Sequence, residues 1–275
     1  MAELIQVLSL PFMQHALLAA LLASLACGMI GSLVVVNRLV FMSGGIAHAA
    51  YGGVGLAFFL GLPVLPCTVG FTLGASLLMG VLTLKRQERT DTLIGVLWAA
   101  GMAVGILLLD LTPGYNVDLM SYLFGSLLAV PGSDLWLMSG LVLLVLACVG
   151  WFYRDLQAFS FDREFAATRG IPVTLLHFLL LAMVALSVVM IIRVVGLILV
   201  IALLTIPAHL AERLTTSLAS MMLMASGLSA LFCLSGLFLA YLFDLTSGAS
   251  IIAVATTVFL AVLGMGIQRG RPGRA

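Results

Sequence analysis

Few side chains in this 275-residue sequence can do chemistry, and most of them stand at the ends of apolar runs. His48 is the exception. It lies within the apolar segment 46–61, with Gly44 and Gly52 one helical turn away on either side and Gly45, Ala49, Gly53 and Ala57 close by. An ionisable group inside a membrane is costly and marks function. Neutral imidazole suits zinc and, less well, manganese. Rows of small residues let another helix backbone approach closely and would leave room beside the ring. The plainer alternative is a histidine hydrogen-bonded to a neighbouring helix. His209 and Glu212, three apart, form a second candidate pair, yet with Arg213 beside them they read as an interfacial helix end. His177 reads as packed core and His15 as interfacial. Asp110, Asp118, Asp134 and Asp244 read as loop acids that would raise the local cation concentration at a mouth. Asp118 is kept as a metal-path residue, because it leads into Leu123, Phe124 and Gly125. The fourteen methionines are scattered, without the clustering expected of a Cu(I) path. Cys27, Cys67, Cys148 and Cys233 form no CxxC pair and read as small buried hydrophobes.

These residues must be positioned by membrane helices. The chain is 63% hydrophobic and 8% charged, where a soluble domain carries about a quarter charged residues. Its net charge of +1 gives no reason to expect a nucleic-acid partner. The apolar character recurs in segments long enough for a hydrocarbon core about 30 Å thick. Candidate spans are residues 14–36, 46–61, 63–84, 92–109, 134–153, 173–192, 195–208, 221–243 and 249–267. Segment 195–208 is short enough to be half a helix, and Pro207 is expected to break it. Residues 119–130 are too short for a comfortable crossing and read as a re-entrant or broken helix. The expected fold is all-α: a polytopic bundle of about 8–9 transmembrane helices forming one permease domain over residues 1–275 in membrane lipid. No cleavable signal peptide is expected, because the first apolar run is too long for a signal core.

Charge fixes the direction. With the tail residues Arg269, Arg271 and Arg274 in the cytoplasm and nine crossings, eleven of the twelve basic residues fall on the cytoplasmic side. Only Arg193 does not, and the N-terminus lies outside.

The longest hydrophilic stretch, residues 154–172, carries a full set of helix signals. Asp162 is a good N-cap, Glu164 follows in the first turn, Arg169 falls in the last, and Gly170 and Pro172 close the segment. Phe161 and Phe165, four apart, are expected to share one face. A helix of two turns does not persist alone in water. It therefore either lies on its own bundle as a capped connector or inserts its aromatic face into a partner.

The sequence FDREFAATRGIP at 161–172 resembles the coupling-helix loop in permeases of the zinc/manganese/iron ABC importer family. Residues 38–61, 89–105, 122–130, 194–214 and 241–250 are similar to that family as well, in order and at matching spacing. The resemblance implies a homodimer working with two copies of a separate ABC-type ATPase and fed by an extracytoplasmic metal-binding protein. It assigns ATPase coupling to Phe161, Asp162, Glu164, Phe165, Arg169 and Gly170. The transported cargo would be a divalent metal, zinc or manganese, with iron also fitting; no permanent cofactor is implied. The family's motif places an aspartate four residues before the histidine, where this chain has Gly44. A metal at His48 would then take oxygen ligands from elsewhere or from water.

The residues agree with that division of labour. A P-loop needs lysine between glycine and Ser or Thr, and the single lysine, Lys85, stands between Leu84 and Arg86. The chain is thus expected to be a transport subunit rather than an enzyme. A permease for a bulky chelate of siderophore or cobalamin type would need a wider cavity and more spans. An ATP-independent secondary carrier should show two similar halves and paired intramembrane carboxylates, and neither is visible. The motifs HExxH and GxSxG are absent as well.

Overall fold

The computed structural model describes residues 11–85, 89–113 and 132–265. Those residues form eleven helices and no strand: α1 Pro11–Val36, α2 Val40–Leu60, α3 Val64–Lys85, α4 Thr90–Asp110, α5 Gly132–Trp151, α6 Tyr153–Phe161, α7 Arg163–Thr168, α8 Val173–Val195, α9 Leu197–Leu214, α10 Leu218–Phe243 and α11 Ser247–Gly264. All but α6, α7 and α9 are long and apolar enough to cross a membrane, eight in total among the described residues. The segment 119–130 and Asp118 lie outside the described residues.

Apolar solvent dictates this architecture, because a helix satisfies its own backbone where no water can. The hydroxyls follow the same rule. Ser24 donates to the Ala20 carbonyl, Ser32 to Gly28 and Ser226 to Met222, each four residues back at 2.7–2.9 Å. The chain turns where the backbone can change hand: Gly61 (φ +65°), Gly196 (φ +79°) and Gly170 (φ +77°) use the region open to glycine, and Asp244 (φ +51°) closes α10. Ser217 and Ser220 form a reciprocal capping box at the start of α10.

α9 differs from expectation. It runs 18 residues straight through Pro207. Proline is tolerated inside membrane helices where neighbouring groups or a local backbone adjustment satisfy the carbonyl it frees. Its last turn and the ends of α1 and α6 border one cavity of about 520 Å³, lined by Val36, Arg38, Ser160, Phe161 and Glu212 among others. Asn37 Nδ2 also donates to Ser160 Oγ at 2.8 Å, tying α1 to α6. α8 leaves from this same face, just after α7, so α9 returns to it. α9 packs against α1, α10 and α11 beside the eight candidate spans of the described residues.

α1, α2 and α8 are the interior helices, whereas α4 and α5 are peripheral. α2 nevertheless packs most extensively on α4, then on α3. Glycine makes that approach close: a Cβ on Gly101 would lie 2.7 Å from Ala49 Cα, and one on Gly105 would lie 2.5 Å from the Tyr51 carbonyl oxygen.

Candidate functional site

The candidate metal site is built on α2. His48 is the ninth residue of that helix, about 12 Å along its axis from the N-terminal end. No other Asp, Glu, Lys, Arg or His among the described residues stands more than five positions from the nearer end of its helix. The ring is half-buried, and Nδ1 is buried without a hydrogen-bond partner among the described residues. Its main neighbour is Trp98 of α4, whose indole stacks on the imidazole with centroids 4.1 Å apart and planes inclined by 14°. Residue spacing could not have revealed this contact, which joins helices fifty positions apart.

The glycines around His48 serve different neighbours. A Cβ on Gly45 would lie 2.6 Å from Ile94 Cγ2, and one on Gly53 would lie 2.7 Å from Thr68 Cα. Gly52 faces the Phe71 ring and the Gly101 carbonyl, so that side offers no free space beside the imidazole. Gly44 faces the Ile201 side chain of α9, whose Cδ1 would be 3.3 Å from an added Cβ. That atom is the end of a flexible side chain, which would have to give by a few tenths of an ångström for a Cβ at position 44.

His209 has other obligations. Its Nε2 lies 3.2 Å from an Arg213 guanidinium nitrogen and its Nδ1 lies 3.4 Å from Glu212 Oε2. Arginine only donates, so a hydrogen bond between them needs Nε2 as the acceptor. Both ring nitrogens thus have polar neighbours on their own helix. His177 is buried in α8 with its edge against Phe178, and neither ring nitrogen is hydrogen-bonded. No cluster of three His, Cys, Asp or Glu residues occurs among the described residues.

The connection between α5 and α8 consists of two helices rather than one. α6 ends at Phe161, Asp162 adopts an extended conformation, and α7 starts at Arg163. Asp162 Oδ1 accepts a hydrogen bond from the Phe165 N–H at 2.9 Å, the N-cap of α7. Phe161 and Phe165 therefore stand on different helices, contrary to the shared face their spacing suggests. Both are exposed, at 66% and 54%. Glu164 lies in the first turn of α7, Arg169 is its C-cap, and Gly170 follows with positive φ. Of α7 itself only Ala166 is buried. What holds the pair in place is α6, whose Leu156 and Phe159 are fully buried. Arg163 lies over the Phe159 ring, 4.6 Å from its centroid. Partial desolvation of this otherwise exposed residue lowers its pKa below the ordinary arginine value, while the group stays charged.

Known proteins match this arrangement along almost its whole length. The chain is 51% identical over 260 residues to an uncharacterised membrane protein of a Synechocystis strain, covering 94% of this chain and 92% of that one. It is 35% identical over 254 residues to the manganese transport system membrane protein MntC of Halalkalibacterium halodurans, covering 92% and 87%. Among solved structures, PsaBC from Streptococcus pneumoniae in complex with Fab superposes with a TM-score of 0.86 at 32% identity, covering 94% of each chain. The profile of the ABC 3 transport family spans residues 9–266, and the chain belongs to that family.

Proposed function

We propose that this chain is the membrane-spanning subunit of an ATP-driven importer for a divalent metal ion, manganese or zinc, with His48 as a ligand on the path. The observation that carries the reading is the match over about nine-tenths of both chains to a membrane protein named for manganese transport. The lone deep imidazole of α2 gives that match a chemical focus. An ion at membrane depth must exchange part of its hydration shell for protein ligands, and a half-buried imidazole can supply one.

The chain acts as a single permease domain, paired with a second copy of itself. A separate ATPase docks on the exposed surface of α6 and α7 through Phe161, Phe165 and the capped turn between Asp162 and Gly170. An extracytoplasmic binding protein delivers the ion near the outer loops, and Asp118, which leads in sequence into Leu123, Phe124 and Gly125, is the acid assigned to the path. Complementation tests the reading. Cells lacking this chain should lose high-affinity manganese or zinc uptake, regain it with the intact chain, and fail to regain it with His48→Ala at equal protein level. Restoration by His48→Ala would move the path elsewhere.

A further inference from the structure

A metal-ligating imidazole ordinarily donates its second N–H to a carboxylate, carbonyl or water, which fixes the ring's orientation. Among the described residues His48 has no such support, because Nδ1 is buried without a hydrogen-bond partner there. The indole of Trp98 lies flat against the ring instead, at 4.1 Å. That indole is itself held: its Nε1–H donates to Met102 Sδ at 3.3 Å, and the Phe41 ring stands 6.0 Å away. The backbone beneath it is fixed where Gly101 meets Ala49 and Gly105 meets Tyr51.

We propose that Trp98 is the positioning residue for His48, stacking on the imidazole so that its less buried nitrogen is presented to the passing ion. The inference rests on the reading of His48 as a path ligand. A nitrogen lone pair lies in the ring plane, and rotation about χ2 of histidine is otherwise broad. Stacking narrows that rotation while leaving the ring edge open. It does so without adding charge, whereas a carboxylate partner would raise the ligand's basicity and tighten its grip on the metal. A site on a conduction path must bind weakly enough to let go.

The full-length chain in lipid nanodiscs allows the test. It has three tryptophans, and Trp136 and Trp151 are 83% and 86% exposed. With both replaced by phenylalanine, Trp98 is the only indole. Manganese ion should then quench its emission, and His48→Ala should abolish the quenching. Manganese binding measured by electron paramagnetic resonance separates stacking from bulk. Trp98→Phe should bind within about twofold of the parent, and Trp98→Leu about threefold to tenfold more weakly, as expected for a lost aromatic pair. Trp98→Met fills the space without a flat ring and serves if the leucine variant does not fold. Parent-like binding by the leucine or methionine variant, with binding lost in His48→Ala, overturns the role of Trp98 alone. Equal weakening in the phenylalanine and leucine variants also overturns it. Unchanged binding in His48→Ala overturns the path reading beneath it.

Discussion

Gly44 and His48 stand one turn apart on α2, and the glycine leaves the imidazole without a carboxylate neighbour on its own helix. Gly44→Asp would place one there, its Cβ meeting the flexible tip of Ile201. Uptake by that variant should shift its preference among manganese, zinc and iron, which competition between paired metals would measure. An unaltered preference would mean that the ion does not pass this face. His48 stood out in the sequence because charge is so scarce within the spans. Its support by Trp98 was hidden, since stacking between α2 and α4 is a tertiary contact that leaves no local spacing. The free space expected beside the ring also depended on the neighbours, and Phe71 occupies the Gly52 side. Asp118, the other residue assigned to the path, lies outside the described residues.

The helices were far more legible than the site. Runs of about twenty apolar residues can do little else in a bilayer, so the predicted spans and the observed helices differ mainly at their ends. α2 begins at Val40 rather than 46, because Ser43, Gly44 and Gly45 blur the apolar signal there without breaking the helix. Pro207 misled for the opposite reason, as a helix breaker in water is tolerated in lipid. The loop signals placed the N-cap at Asp162, but the extended backbone of that residue also ends α6. The α2–α4 contact predicts a stability effect. Gly101→Val would drive its side chain into the Ala49 backbone and should cost about 1–3 kcal/mol, read as a lower unfolding midpoint in detergent. On the face that carries α6 and α7, Phe165→Ala removes an exposed ring that supports little of its own bundle. The protein should insert and melt normally yet retain less of its ATPase on co-purification. Normal retention and uptake would mean that α7 is only a connector.

As a whole, the molecule is a bundle with α1, α2 and α8 inside and a capped two-helix foot on one face. Its direction in the membrane can be read from cysteines at either end of α10, in a background lacking the four native thiols. Thr246→Cys should react with an impermeant reagent added outside, and Thr216→Cys should react only after permeabilisation; the reverse pattern would invert the topology. Assembly with an ATPase, and the demand for ATP that follows, is the central claim. The most direct measurement is metal accumulation in proteoliposomes containing this chain and its partner ATPase, supplied with the binding protein, manganese or zinc, and ATP on the appropriate faces. The account predicts accumulation against a gradient that stops when ATP is withheld or His48 is replaced by alanine. Accumulation that persists without ATP or the ATPase would contradict it and make the chain a secondary carrier.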